Sequence, residues 1–341
     1  MAKKINLKFI AQHFNVSIAT VSKSLKDSHE ISTEMRSKIQ KFAQEHNYRP
    51  NVFALNLKNK RSKSIGIIIP NILNLFFAKV FSGIEKIANK EGYNLVICIS
   101  NDSYQKEVEA IETLINGTVD GLIVSIAEET QKKQQFKHFN KAINQGIITV
   151  MIDRVTDTVV CDKVIVDDKL AGYNCTKHFI KTGHKNIALL SVISDTSVGK
   201  LRLEGYRQAL KESNIAFDKN LLIKIGKNED IDLLLKIAFG SRTIDALLCL
   251  EETTAVAALE FSKRQKYKVP EEVSIIGFTN GELTQHMTPS ITTVSQHGVY
   301  MGETAMNFLS ERLNEIEGQE ANTRIKVIKT NLIERETTLQ L

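Results

Sequence analysis

Residues that cross-link or stiffen a chain are scarce in this 341-residue sequence, which has four cysteines, four prolines and no tryptophan. The cysteines stand singly, without a CxxC pair or a histidine at metal-binding spacing, at Cys98, Cys161, Cys175 and Cys249. This pattern excludes a disulfide framework and indicates no zinc site. We therefore expect core thiols in a protein that folds in a reducing compartment.

Long apolar runs are also absent. The longest candidate, residues 65–70, is far shorter than the roughly 18 residues that cross a bilayer. The first residues, MAKKINLK, lack the apolar segment of a secretory signal peptide. With 42% hydrophobic and 25% charged residues, the composition is that of a globular protein, and we expect a cytoplasmic one without a membrane partner.

Common enzyme motifs are missing as well. The sequence contains no Gly-rich phosphate loop, dinucleotide-binding fingerprint, nucleophile elbow or HExxH zinc motif. Glu251 and Glu252 are adjacent, so their side chains diverge on a strand or a helix and make a poor general acid and base pair. We expect no catalysis, no cofactor and no metal ion.

The positive charge is concentrated at one end of the chain. Residues 1–63 contain 13 lysines and arginines but four acids, a balance of +9, while the other 278 residues carry −3. A basic module joined to a slightly acidic body favours a polyanion such as nucleic acid as the partner of the first part. A run of charge alone is more often only a solvated surface.

Three short helices are predicted in the basic module. Asn6, Ser17 and Ser32 are good N-caps before segments of helical periodicity that together reach residue 46. Two short helices joined by a tight turn, with a third packed across them, form a helix-turn-helix, although a small bundle without a ligand has the same pattern. In a helix-turn-helix the second helix enters the major groove. Its exposed face here consists of Ile18, Ala19, Thr20, Ser22 and Lys23.

Eight stretches, distributed in order along nearly the whole chain, carry a family resemblance. They are FIAQHFNVSIATVSKSL (9–25), NYRPN (47–51), SIGIIIP (64–70), GLIV (121–124), IDR (152–154), RLEGY (202–206), VPEEVSIIGF (269–278) and TPSITTV (288–294). A single helix-turn-helix match would be weak. The ordered set resembles the lactose-repressor/galactose-repressor (LacI/GalR) family of bacterial transcription regulators.

The resemblance implies which residues meet DNA. Residues at the positions of Ile18, Ala19 and Lys23 face base edges in the family, while those at Thr20 and Ser22 hold phosphates. Lys23 stands where many members have arginine, and since lysine is a point donor we expect looser or shifted guanine readout. Further contacts are implied for Tyr48, Asn51, Ala54, Leu57 and Lys58.

Residues 51–58 match the hinge helix of the family, and residues 59–63 form a basic linker. Two turns are too short to be helical alone in water. In the family this helix orders when it pairs with its dimer mate on DNA, and a leucine at the position of Leu57 wedges into a minor-groove step. Packing of Leu57 against the body is the alternative.

From residue 64 onward, short apolar strands alternate with helices, which indicates parallel sheets covered on both faces. The predicted strands are 65–69, 95–99, 121–125 and 147–152, then 187–192, 221–225, 246–250 and 274–278. The two sets imply two doubly wound α/β lobes, which the resemblance describes as periplasmic-binding-protein-like and joined by three crossovers. The expected domains are an all-α helix-turn-helix head (1–50), a hinge and linker (51–63) and a body (64–341), with lobe 1 at about 64–162 and 295–325 and lobe 2 at about 163–294 and 326–341. The resemblance places the last strand, near residues 326–332, in lobe 2.

Ligands of such sheets bind outside the carboxyl ends of the strands. The predicted effector-binding residues are Asn71, Phe76, Phe77, Asp153, Arg154, Asp168, Arg202, Glu251, Thr279 and Asn280. By resemblance, Phe76 and Phe77 stack on an effector ring and Arg202 binds the effector. The alternative places both rings in the core and makes the charged pairs structural. An arginine with carboxylates and an apolar platform suits a polyhydroxylated ring, whose hydroxyls donate and accept.

Two departures from the family pattern leave the effector open. Glu251 and Glu252 replace a common Asn-Asp, and Thr279 replaces an Asp that commonly follows Gly-Phe or Gly-Tyr. A sugar or sugar derivative is expected, with a non-sugar ligand or a protein partner as alternatives. A solute-binding protein is the remaining rival, and the basic head argues against it.

The sequence therefore predicts a cytoplasmic, homodimeric repressor that reads a pseudo-palindromic operator in double-stranded DNA. No heptad tail follows the last predicted strand, so a coiled-coil tetramer is not expected. Effector binding is expected to change lobe closure and thereby the order of the hinge helices.

Overall fold

The computed structural model describes residues 5–46, 48, 62–116, 119–226, 228–315 and 322–340. The chain divides into two units, Met1–Ser62 and Lys63–Leu341. The predicted hinge helix, with Asn51, Ala54, Leu57 and Lys58, lies outside the described residues.

The described part of the N-terminal unit contains three helices whose starts are fixed by local caps. They are α1 (Leu7–His13), α2 (Ile18–Leu25) and α3 (Thr33–Glu45). Each predicted cap, Asn6, Ser17 or Ser32, accepts a hydrogen bond from the backbone N–H three residues further on, at 2.9–3.4 Å. The helices bury a small apolar core of Ile10, Ala11, Val21, Ile39 and Ala43. This arrangement confirms the predicted helix-turn-helix.

The first sheet of the C-terminal unit is parallel throughout its described strands. These are β1 (Ser64–Ile69), β2 (Asn94–Ile99), β3 (Gly121–Val124), β4 (Ile148–Ile152), β5 (Asp162–Val166) and β11 (Ile325–Ile328). Their order is β11-β5-β4-β3-β1-β2. The carboxyl ends of all these strands therefore meet at one edge of the sheet.

The second sheet follows the same plan, with one reversed strand at its edge. Its described strands are β6 (Ile187–Ser191), β7 (Leu222–Lys224), β8 (Ala246–Cys249), β9 (Ser274–Phe278), β10 (Thr292–Ser295) and β12 (Asn331–Ile333). Their order is β12-β10-β9-β8-β6-β7, and β12 runs antiparallel to β10.

Helices cover both faces of each sheet. The first lobe contains α4 (Leu75–Glu91), α5 (Tyr104–Ile115), α6 (Glu128–Lys133), α7 (Lys137–Asn144) and α13 (Gly298–Asn314). The second contains α8 (Asp168–Lys181), α9 (Ser197–Glu212), α10 (Ile231–Ser241), α11 (Glu252–Arg264) and α12 (Glu282–His286). Apolar clusters fill the two faces of each sheet, which confirms the pair of doubly wound lobes. No described helix has the length and apolar character required to cross a membrane.

The structure corrects the expected lobe boundaries. β5 belongs to the first sheet, so the chain first crosses after Val166 and not near residue 162. The expected last strand is two strands, of which β11 pairs with β5 in the first sheet and only β12 joins the second. Both errors have one cause: β5 begins with the charged pair Asp162 and Lys163, and β11 is an edge strand with exposed side chains, so neither has a continuous apolar pattern.

Candidate DNA-reading helix and interlobe cleft

The outward face of α2 carries the predicted DNA contacts. Ile18, Ala19 and Lys23 are exposed, while Thr20 and Ser22 are partly buried. Ile18 is 49% exposed although it is a large apolar residue. The short side chains of Ala19, Thr20 and Ser22 allow the helix to approach base edges closely.

Two of the predicted contacts already have partners within the N-terminal unit. Thr20 Oγ1 lies 2.9 Å from the cap oxygen Ser17 Oγ, and Lys23 Nζ forms an ion pair with Glu30. Tyr48 packs against the core of the unit, and this burial raises the pKa of its phenol. Glu30 was not among the residues predicted from the sequence.

On the first-lobe side of the cleft, Asp153 and Arg154 follow β4 and are both buried. Arg154 Nη1 donates to the Asp102 carboxylate, and its Nε lies 4.0 Å from Asp153 Oδ2. Burial raises the pKa of Asp153 to about 6, against the attraction of the nearby Arg154 cation. Among the described residues, no side chain donates to Asp153 within hydrogen-bond distance.

Polar atoms at the same sheet edge lack hydrogen-bond partners. Ser100 follows β2 and Ser125 follows β3; both are fully buried, and their hydroxyls have no partner among the described residues. Arg154 Nε is also buried and has no hydrogen-bond partner among the described residues. Ile126 N donates to Arg154 O at 3.1 Å, which places Ser125 beside the Asp153–Arg154 segment. Because buried polar groups are normally bonded, this edge has capacity for a polar ligand.

The second-lobe side is built around Arg202, which is bonded within its own lobe. Arg202 Nε donates to Asp168 Oδ1 at 2.7 Å and its Nη1 to Leu250 O at 2.6 Å. The guanidinium lies 3.8 Å from the centre of the Phe278 ring. Burial raises the pKa of Asp168, and Arg202 opposes that rise. A side chain at Gly172 would place its Cβ 2.3 Å from Arg202 O, so only glycine lets α8 approach α9 here.

Glu251 is also held by its own lobe. It accepts from Ser191 Oγ and from Val192 N, both at 3.3 Å, and from Thr254 Oγ1 at 3.0 Å. Burial raises its pKa to about 6. Glu252 starts α11 and lies in a different environment, where burial raises its pKa and Lys79 opposes the rise. The two acids do not form a couple, in agreement with the sequence argument.

The other predicted effector-binding residues lie apart from the charged residues Asp153, Arg154, Asp168, Arg202 and Glu251. Phe76 lines a cavity of about 330 Å³ between the lobes together with Lys79, Thr279, Asn280 and Gln296. Thr279 Oγ1 donates to Gln296 Oε1 at 3.1 Å, and Lys79 Nζ donates to Asn280 O. The lining formed by the described residues does not include Asp153, Arg154, Asp168, Arg202 or Glu251.

Phe77 and Asn71 lie outside both groups. Phe77 is 3% exposed and belongs to the apolar core of the first lobe, where its ring centre lies 5.2 Å from that of Phe76 in an edge-to-face contact. Asn71 is exposed and accepts from the backbone of Leu73 at 2.8 Å.

Contacts between the lobes were not predicted from the sequence. Gln131 Nε2 donates to Ser197 Oγ and Ser197 N donates to Gln131 Oε1, both at 3.0 Å. Lys132 Nζ lies 3.1 Å from Asp195 Oδ2, and this lysine lowers the pKa of Asp195. These contacts join α6 of the first lobe to the start of α9 in the second. No local pattern could have indicated them, because their partners are more than 60 residues apart.

A buried carboxylate anchors α6. Glu107 accepts from Ala127 N and Thr130 Oγ1 at 2.6 Å each, and it lies 2.9 Å from His138 Nε2. Glu107 is fully buried, so these bonds replace the water that it would otherwise bind. The interlobe contacts therefore extend from a fixed support.

Two family models match the chain. "Bacterial regulatory proteins, lacI family" matches residues 6–51, and "Periplasmic binding protein-like domain" matches residues 176–338. The first match covers the helix-turn-helix. The second covers most of the second lobe, together with α13 and β11, the part of the chain that returns to the first lobe.

Full-length relatives are similar over nearly the whole chain. The HTH-type transcriptional regulator RegA of Clostridium saccharobutylicum is 31% identical over 340 residues, 98% of this chain and 99% of RegA. The ribose operon repressor of Haemophilus influenzae is 29% identical over 98% of this chain and 99% of its own. The HTH-type transcriptional repressor PurR of Vibrio atlanticus is 28% identical with the same coverage.

A solved structure has the same fold. The lac repressor dimer bound to operator and the anti-inducer ONPF superposes with a TM-score of 0.82 at 20% identity, covering 99% of this chain and 100% of that one.

Proposed function

Because the chain belongs to the lacI family of bacterial regulatory proteins, it is a transcription regulator and not an enzyme, and we propose how its parts divide that work. The head places α2 in the major groove of an operator, residues 51–63 act as the hinge, and the two-lobed body binds a small effector. The protein works as a homodimer on a pseudo-palindromic site, in the bacterial cytoplasm where operator DNA lies.

In this proposal Ile18, Ala19 and Lys23 read base edges, and Thr20 and Ser22 hold phosphates. The outward position of these five side chains on α2 supports the assignment. Tyr48 and the hinge residues Asn51, Ala54, Leu57 and Lys58 add backbone and minor-groove contacts.

The effector is a polyhydroxylated molecule, a sugar or sugar derivative. The observation that carries this proposal is the buried Asp153 carboxylate, which follows β4 and accepts no hydrogen bond from a described side chain, while the unpartnered Ser125 hydroxyl follows the neighbouring strand β3. A ligand hydroxyl can donate to the carboxylate and also bond the serine, since it is both donor and acceptor. The name of the ribose operon repressor agrees with this class, while that of PurR keeps purines among the alternatives.

Effector binding acts through lobe closure. Gln131 and Ser197 join the lobes on one side of the cleft, and a ligand between Asp153 and Arg202 would contact both lobes beside them. A ligand that binds more tightly to one arrangement of the lobes, open or closed, shifts the equilibrium toward that arrangement. The shift changes the part of the body to which residues 51–63 are joined.

Calorimetric titration of the full chain with monosaccharides, disaccharides, sugar phosphates and purines tests the effector class. Saturable binding of a sugar class that is lost in Asp153→Ala supports the proposal. Binding of purines without any sugar would instead show that the effector is a purine. Operator affinity is then measured by fluorescence anisotropy with and without the bound ligand at matched salt. Equal affinities would exclude control through lobe closure.

A further inference from the structure

The acids of the basic head differ in what they neutralise. All four acids of residues 1–63 are described, and each lies in an ion pair. Three of them pair with cations on α3, as Asp27–Arg36, Glu34–Lys38 and Glu45–Lys41. The first pair secures the loop between α2 and α3, and the other two are ordinary helix-surface pairs four residues apart. These three pairs leave the outward face of α2 untouched.

Glu30 is the exception, because its partner is Lys23 on that outward face. The lysine side chain is 49% exposed and the glutamate side chain 56% exposed, so the pair is open to a ligand. Hydrogen bonds hold the loop that carries Glu30: Ser28 N donates to Lys23 O at 3.0 Å, and Arg36 Nη1 donates to Ser28 O at 3.3 Å. Glu30 is thus presented beside Lys23 by a fixed loop.

We propose that Glu30 is a specificity-determining residue, which restricts Lys23 to base edges and away from phosphates. This inference rests on the proposed function of α2. A phosphate that binds Lys23 comes close to the Glu30 carboxylate, and the like charges repel. A base pair in the major groove instead offers an acceptor for the lysine and, on cytosine N4 or adenine N6, an amino group that donates to the glutamate. Glu30 therefore weakens non-specific binding and favours sites where both side chains are bonded.

The test compares Glu30→Gln with Glu34→Gln in the full chain. Both changes raise the net charge of the head by one, but only the first frees Lys23. Affinity is measured by anisotropy across a salt series for a random-sequence duplex and for a duplex that the wild-type protein recovers from a randomised pool. We expect Glu30→Gln to bind the random duplex about three- to tenfold more tightly, with a salt slope steeper by about one.

The ratio of specific to non-specific affinity should fall about tenfold in Glu30→Gln, since one base-edge contact is lost. In Glu34→Gln it should stay within about twofold of wild type. In a Lys23→Met background Glu30→Gln should tighten binding of the random duplex no more than Glu34→Gln does, because no freed lysine is left to bind a phosphate. Equal behaviour of the two glutamine variants would overturn the inference while leaving the proposed function in place. A wild-type protein that recovers no preferred sequence would instead refute the proposed function.

Discussion

The first lobe brings Ser125, Asp153 and Arg154 to the cleft, whereas the second brings Arg202 and Glu251, and the two sets differ in how far they are already bonded. The first set includes buried atoms without partners among the described residues. The second is bonded to its own lobe. A bonded group adds rigidity, while an unbonded one adds affinity for whatever supplies its partner. We infer that the first lobe discriminates effectors and the second holds the shape of the site.

The largest expected effect is on the second lobe. Arg202→Ala leaves the Asp168 carboxylate buried without its cation, and the free energy of unfolding should fall by roughly 3–5 kcal/mol. Urea denaturation followed by circular dichroism measures the change. The double variant Arg202→Met/Asp168→Leu should recover most of the loss, because neither position then leaves a buried charge without its partner. A single variant as stable as wild type would show that this side of the cleft is not structural.

Asp153→Asn should have the opposite effect on stability. Burial raises the pKa of Asp153 from 3.8 to about 6, so the folded chain holds this proton more tightly than the unfolded chain. The stability that it contributes is present below pH 4 and is lost as the pH rises to about 6. At pH 7.5 the asparagine variant should therefore be about 2–3 kcal/mol more stable than wild type, and at pH 4 the difference should shrink to below about 1 kcal/mol.

The same variant should bind the effector more weakly, because a neutral amide accepts a weaker hydrogen bond from a ligand hydroxyl than a carboxylate does. Urea titrations at both pH values and calorimetry supply the two readouts. A pH-independent difference in stability would contradict the assignment of the raised pKa.

Removing one hydroxyl from each lobe compares the two sides directly. Ser125→Ala deletes an unpartnered hydroxyl, so the free energy of unfolding should hardly change while effector affinity falls about tenfold. Thr254→Ala deletes a donor to buried Glu251, so the free energy of unfolding should fall by about 1–2 kcal/mol. Thermal unfolding and calorimetry of both variants give the comparison. The proposed difference between the lobes is wrong if Ser125→Ala lowers the free energy of unfolding and leaves effector affinity unchanged.

The smallest effects are expected at the contacts between the lobes. Gln131→Ala removes two hydrogen bonds to Ser197 and should lower effector affinity about three- to tenfold. Lys132→Ala removes a half-exposed ion pair with Asp195 and should change the affinity less than threefold, since exposed pairs contribute little. If Gln131→Ala has no effect on calorimetric affinity, closure does not depend on this contact.

Local interactions let the sequence determine the head. Asn6, Ser17 and Ser32 cap their helices through atoms three residues away, so short windows of sequence contain the whole cause. The same holds for most strands of the body, whose continuous apolar residues are needed because both faces of each sheet are covered.

The strands β5 and β10 begin with polar residues and were not predicted, because the residues that bond these polar groups lie far along the chain. Asp162 opens β5 and is bonded by Arg312 and Arg324, which lie 150 and 162 residues away. Thr292 opens β10 and bonds Thr338, 46 residues further on. A short window contains the polar group without its partner, so the segment does not resemble a buried strand.

For the cleft residues too, local sequence determined one property and distant contacts determined another. The sequence alone determined which charged residues stand at strand ends, because parallel strands bring their carboxyl ends to one edge. Only the tertiary structure decided which of them remain open to a ligand: Arg202 is committed to Asp168, Glu251 to Thr254, while Asp153 is left without a donor side chain among the described residues. The reason is physical, since the bonding state of a buried polar group depends on neighbours that folding brings from far along the chain.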